Sequence, residues 1–240
     1  MVWEDFGAAL FDLDGVLTPT AEVHMRAWRE LFTAFFTEHG VAPGYTDADY
    51  FQDIDGKPRY DGVRATLASR GLHLAEGDPA DPPGASTVCG LGNTKQEIFD
   101  RLLDQAGVEP YPGSVALLEH LAGRGIGVAV VSSSRNVRGV LAAAGLADRF
   151  SVVVDGNMAA AEGLAGKPSP ATFARAAQAL GVPPGRAVVI EDAISGVQAG
   201  RAGGFGLVVG VDRGAGAVQL REAGADLVVH ALAELVEGRP

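Results

Sequence analysis

The sequence holds one cysteine, Cys89. That excludes an internal disulfide and any zinc site built on several cysteines, and it suits a reducing compartment. Positive charge is scarce as well: Lys and Arg number 19 against 30 Asp and Glu, a net charge of −11. A nucleic-acid groove or a dock for anionic lipid needs clustered cations, so neither partner is expected. A small anionic substrate is still allowed, because a few local cations inside a cleft outweigh the global sign. No apolar run approaches the roughly 20 residues that span a bilayer. Residues Met1 to Phe6 carry Glu4 and Asp5 instead of the basic leader of a secretory signal, and a cytoplasmic protein is expected. Glycine is plentiful at 33 residues, yet it has no fixed period that would mark a repeat array. What remains is the composition of a folded soluble protein, 47% hydrophobic and 20% charged. A length of 240 residues allows one large domain, or one domain with an insert.

Short apolar runs rich in β-branched residues recur at Ala8–Leu13, Ile126–Val131, Ser151–Val154, Ala187–Ile190, Gly206–Val209 and Asp226–Val229. Runs apolar on both faces suit central parallel strands covered by helices on either side. Helical patterns lie between the later runs, around Val115–Leu121 and after Pro170. The alternation predicts a doubly wound, Rossmann-like α/β core. The first run is followed by helical spacing instead of a second strand: Ala21–Phe36, Tyr60–Arg70 and Lys95–Ala106, with a proline-rich loop at Asp78–Gly84. The expected division is a core of residues 1–18 and 110–240 and an all-helical cap of residues 19–109.

Four segments carry chemistry. In Phe11-Asp12-Leu13-Asp14-Gly15 an apolar strand ends in two carboxylates, at the strand end where open α/β sheets bind ligands. Close carboxylates repel and need a shared proton or a cation; a hard divalent ion suits both. Alone, the motif reads equally well as an acidic turn capping a helix. Ser132-Ser133-Ser134-Arg135-Asn136 follows the second core strand. Its hydroxyls and turn N–H groups suit a phosphate, although alone a serine N-cap is the preferred reading. Lys167 stands just before a helix start and among prolines. Glu191 and Asp192 follow a further apolar strand; a helix N-cap explains Asp192 and leaves Glu191 unexplained.

Together, in this order, these segments resemble the haloacid dehalogenase-like superfamily, over the whole chain. Within it the β-phosphoglucomutase branch is the nearest resemblance, because Thr20-Ala21-Glu22, His24 and Arg26-Ala27-Trp28 also match. The resemblance implies a Mg²⁺-dependent enzyme that interconverts β-D-glucose 1-phosphate and D-glucose 6-phosphate through an aspartyl phosphate and a 1,6-bisphosphate. The alternative it leaves is a sugar-phosphate phosphatase. It implies Asp12 as nucleophile and Asp14 as general acid/base. Asp12, Asp14, Glu191 and Asp192 form the metal site, with Glu191 as ligand or as support. Ser132, Ser133 and Lys167 hold the transferring phosphoryl group. Arg135 and Asn136 meet the substrate from the core, and Thr20, His24, Arg59 and Lys95 from the cap. The expected partner is a small sugar phosphate, and a monomer is expected. Pro19, Thr94, Ala193 and an additional cap stretch around Asp78–Ser86 depart from the family pattern and bear on substrate choice. Cys89, the histidines outside the motifs and the aromatic run Trp28, Phe32, Phe35 and Phe36 read as packing residues.

Overall fold

The apolar runs pair side by side in a computed structural model that describes residues 3–236, apart from the side chain of Ala106. The strands are β1 Ala8–Phe11, β2 Gly127–Val131, β3 Val152–Val154, β4 Ala187–Glu191, β5 Leu207–Val211 and β6 Leu227–Val229. They form one six-stranded sheet in the order β3-β2-β1-β4-β5-β6, parallel throughout. The chain builds outward from β1 in one direction and then restarts on its other side at β4. The switch point for ligand binding in this strand order therefore falls between β1 and β4. All four residues of β1 are buried, as a central strand covered on both faces requires.

Alternation sorts the strand residues onto two faces. Ala8 and Leu10, Ala129 and Val131, and Ala187 and Val189 lie on one face, packed with Phe173, Ala176 and Ala177 of the helix Ala171–Ala179. Proline just before that helix suits its start, and Pro170 is its N-cap. Phe11, on the opposite face, meets Phe150 edge-on at 6.2 Å.

The chain divides into two compact units, Met1–Pro19 with Val108–Pro240, and Thr20–Gly107. The second contains the helices Thr20–Glu38, Arg59–Ala68 and Val88–Ala106, with a π-helical turn at Tyr50–Ile54. Its core is aromatic: Trp28, Phe32 and Phe36 are buried, Trp28 stacks on Phe32 at 5.6 Å and Phe32 on Tyr45 at 5.5 Å. The helix Val88–Ala106 begins well before Lys95, where the apolar pattern placed its start. Thr87 caps it by accepting from the Gly90 N–H at 2.9 Å, and the glycines of its first turns hide the pattern. Cys89 is buried, and burial with the acidic neighbours Glu76, Asp81 and Asp78 pushes its thiol up, away from reactive thiolate character. Among the described residues no helix is long and apolar enough to cross a membrane.

Candidate active site

The register of the sheet brings Phe11 level with Val130 on one side and Ile190 on the other. One residue on stand Asp12, Val131 and Glu191, at the carboxyl ends of three adjacent strands. The Asp12 N–H extends the ladder by donating to the Ile190 carbonyl at 2.9 Å. By alternation, Asp12 and Glu191 face the side of the sheet covered by the helix Ala171–Ala179. Lys167 sits in the loop before that helix, its Nζ 5.1 Å from the Phe173 ring centroid. From there Nζ donates to all three strand ends: Asp12 Oδ1 at 2.5 Å, Glu191 Oε1 at 2.5 Å and the Val131 carbonyl at 3.1 Å. An ammonium has three N–H donors, so its hydrogen-bonding capacity is filled.

The charges in this cluster do not balance. Lys167 is 4% exposed, Asp12 7%, Glu191 0% and Asp192 7%. One cation faces several buried carboxylates. Burial pushes the Asp12 carboxyl well above the usual range; Lys167 opposes this, while Glu191 and Asp14 add to it. Lys167 is held protonated: its carboxylate neighbours Asp12 and Glu191 raise its pKa against the effect of burial. A surplus of hard oxygen donors in a low-dielectric pocket fits a divalent cation.

The donors are not equivalent. Glu191 uses Oε1 on Lys167 and accepts the Ala193 N–H at 2.8 Å with Oε2. Ala193 is the N-cap of the helix Ile194–Ala202, so the capping expected of Asp192 is not found. Among the described residues no group of three or more Asp, Glu, His or Cys side chains gathers to hold a metal.

The remaining core residues lie on the adjoining loops. Asp14 is half-buried, with the Ser132 hydroxyl 3.5 Å from Asp14 Oδ2. Ser132 Oγ also accepts the Ser134 N–H at 3.1 Å, and Ser134 Oγ accepts the Asn136 N–H at 3.2 Å. The serine N-cap reading is thus corrected. Asn136 is the N-cap residue, and these two hydroxyls close turns inside their own loop. Ser133 is half-buried on the same loop and Arg135 is exposed, its carbonyl taking Asn157 Nδ2 at 3.0 Å. Gly15 has φ +83°, and a Cβ there would stand 1.9 Å from Asp192 Oδ2. Only glycine allows this backbone to lie against that carboxylate.

In the helical unit, Thr20 is buried at the first position of its helix. His24 stacks on Phe99 at 4.1 Å. Its Nδ1 contacts Nζ of Lys95, which is 2% exposed and 4.6 Å from the Phe99 ring centroid. Arg59 opens its helix and donates to Asn93 Oδ1 at 3.4 Å and to Gln96 Oε1.

Two features had no counterpart in the sequence reading. Asp155, buried beyond β3, caps the helix Gly156–Glu162 through the N–H groups of Asn157 and Met158. Arg213, beyond β5, donates to the Gly15 carbonyl and to the His230 carbonyl, each at 2.9 Å, and lies over the Tyr111 ring at 4.1 Å. It ties the Asp12–Thr18 loop to two other loops. Asp155 follows its apolar strand directly and Arg213 stands two residues beyond β5, close to the signal that marked the other motifs. Arg213→Ala leaves the buried Gly15 carbonyl without this donor. It is expected to cost about 1–2 kcal/mol, read as a lowered melting temperature with the sheet intact by circular dichroism.

A haloacid dehalogenase-like hydrolase model matches residues 6–204. The chain belongs to this family. It is 50% identical to a β-phosphoglucomutase of Mycobacterium bovis over 243 aligned positions, covering 97% of this chain and 92% of that one. A solved β-phosphoglucomutase of Clostridium difficile superposes with TM-score 0.77 at 26% identity, covering 96% of this chain and 93% of the other. CbbY of Rhodobacter sphaeroides, solved as a point variant with xylulose 1,5-bisphosphate, superposes with TM-score 0.73 at 28% identity, with 96% of both chains covered. The protein is an enzyme of this family, homologous to β-phosphoglucomutases.

Proposed function

We propose that the protein is a β-phosphoglucomutase, interconverting β-D-glucose 1-phosphate and D-glucose 6-phosphate by way of glucose 1,6-bisphosphate. The observation that carries the reading is the 50% identity to a β-phosphoglucomutase along nearly the whole chain. The buried Asp12–Lys167–Glu191 cluster at the switch point supports it.

In this reading Asp12 attacks the phosphorus of a sugar phosphate. The bond from phosphorus to the sugar oxygen breaks, and Asp14 supplies a proton to that oxygen. When the sugar phosphate is the 1,6-bisphosphate attacked at its C1 phosphate, glucose 6-phosphate leaves; the aspartyl phosphate then passes its phosphoryl group to the 6-hydroxyl of a β-glucose 1-phosphate, whose proton Asp14 takes up, and the bisphosphate is formed again. Lys167 offsets charge on the transferring oxygens, assisted by Ser132 and Ser133. Glu191 is the counter-ion that aims Lys167. The carboxylates of Asp12 and Asp192 and the backbone carbonyl of Asp14 would hold Mg²⁺, which when bound would neutralise charge on the transferring phosphoryl group. The unit Thr20–Gly107 would serve as the cap: Arg59 reads the phosphate that is not transferring, Thr20, His24 and Lys95 meet the substrate from this unit, and Arg135 and Asn136 meet it from the core. A bisphosphate offers one phosphate for Lys167 and a second for Arg59.

The deciding assay supplies β-glucose 1-phosphate, Mg²⁺ and a trace of the 1,6-bisphosphate, and measures glucose 6-phosphate and free phosphate separately. Glucose 6-phosphate is expected to dominate. Free phosphate as the main product would replace this reading with a sugar-phosphate phosphatase, as the similarity to a family of hydrolases allows. A second outcome concerns the ion. Mg²⁺ at a hundredfold excess over its Kd is expected to stabilise the metal-free protein by about 2.7 kcal/mol. Asp12→Asn and Asp192→Asn are expected to shrink that shift in calorimetry, and an unmoved melt in the unsubstituted protein would count against a resident cation.

A further inference from the structure

The loop that departs from the family pattern folds back onto the first turns of the helix Val88–Ala106. The Gly84 N–H donates to Thr94 Oγ1 at 2.8 Å, and Thr87 Oγ1 donates to Asp81 Oδ2 at 2.6 Å. Asn93 Nδ2 donates to two carbonyls of the loop, Pro79 at 3.1 Å and Asp81 at 2.8 Å. Carbonyls only accept, so these bonds fix which end of the Asn93 amide is nitrogen. Its oxygen is thereby turned to the Tyr60 hydroxyl at 3.1 Å and to Arg59 NH1 at 3.4 Å. One turn along, Gln96 repeats the arrangement. Nε2 donates to Asp100 Oδ1 at 2.6 Å, and Oε1 accepts from Arg59 NH2. Gly92 lets the two helices meet here, since a Cβ would stand 2.7 Å from the Tyr60 ring and 3.2 Å from Arg59 Cδ.

We propose that Asn93 and Gln96 are positioning residues for Arg59, and that the loop Asp78–Ser86 acts on substrate choice by fixing the Asn93 amide. The inference rests on the reading of Arg59 as the residue that grips the non-transferring phosphate. Asn93 and Gln96 are neutral amides. They orient the guanidinium and add no negative charge beside it, as a carboxylate in either place would. The arrangement favours a substrate that carries a second phosphate besides the reacting one. It contributes nothing toward a donor with a single phosphate.

The test compares Asn93→Ala with the unsubstituted enzyme, using glucose 1,6-bisphosphate and acetyl phosphate as alternative phosphoryl donors to Asp12. The KM for the bisphosphate is expected to rise roughly tenfold, the scale of one hydrogen bond to a charged group. Hydrolysis of acetyl phosphate with no sugar phosphate present is expected to stay within about twofold, because no second phosphate is there to be read. In an Arg59→Ala background the Asn93→Ala effect is expected to vanish. An equal loss with both donors, or an undiminished effect without Arg59, overturns the proposal and leaves Asn93 a structural residue. Arg59→Ala with an unchanged KM for the bisphosphate would instead remove the reading beneath it. Should Asn93→Ala fail to fold, Gln96→Leu carries the same comparison without touching the loop.

Discussion

Asp12→Asn is expected to abolish formation of both glucose 6-phosphate and free phosphate, a loss on the order of 10⁵-fold. The amide has the volume of the carboxylate but is not a nucleophile toward phosphorus. The fold is expected to survive, since Lys167 keeps Glu191 as counter-ion at 2.5 Å. Product formation near the parent rate, in protein checked by mass for deamidation, would move the nucleophile elsewhere. Loss of glucose 6-phosphate alone would separate the mutase chemistry from a hydrolysis that does not use Asp12.

Lys167→Ala is expected to cost stability as well as activity. It leaves Asp12 and Glu191 facing each other in a buried pocket, a loss of about 3–5 kcal/mol for a broken buried pair. The pH dependence has a definite sign. Lys167 has a folded pKa above its unfolded one. Its contribution is therefore complete below the ordinary lysine range and is lost only as pH rises through the higher folded value. Asp12 is also raised. The stability tied to its neutral form is complete below the ordinary aspartate value and is lost as pH climbs through the raised one. At low pH the parent gives up the Asp12–Lys167 pair in any case. The deficit of Lys167→Ala, measured by thermal melts in metal-free buffer across a pH range, is thus expected to be smallest at the acid end and to grow as pH rises above the ordinary aspartate value. A deficit that stays constant across that range would mean that packing, and not charge, is what the substitution removes.

The parts of the fold and site legible in the sequence are those written in long apolar runs and in charge placed just after them. Strand β1 with Asp12 and Asp14, β2 with Ser132, and β4 with Glu191 and Asp192 are read this way, because a strand buried on both faces leaves little choice of residue. Helix starts are less legible. The helix Val88–Ala106 opens with glycines that its neighbours demand, and those glycines erase the amphipathic signal. Capping is less legible still: Asp192 and the serines have cap chemistry, yet Ala193 and Asn136 stand at the cap positions. A cap depends on where the backbone turns, which a few residues of sequence do not specify. The part played by Lys167 is visible as a lysine among prolines. That it meets three strand ends at once follows only from the strand order, which sets β2, β1 and β4 side by side.

The Tyr111 N–H donates to the Leu17 carbonyl at 3.0 Å, and the Ser114 hydroxyl to the Val16 carbonyl at 2.8 Å. The chain therefore leaves the sheet-containing unit and re-enters it at almost the same point, with its long excursion pinched shut at the root. An insertion closed in this way asks nothing of its host beyond two neighbouring attachment points. A different module grafted between Pro19 and Val108 would leave every strand in register, so the inserted unit is free to diverge while the strand ends of its host stay where they are.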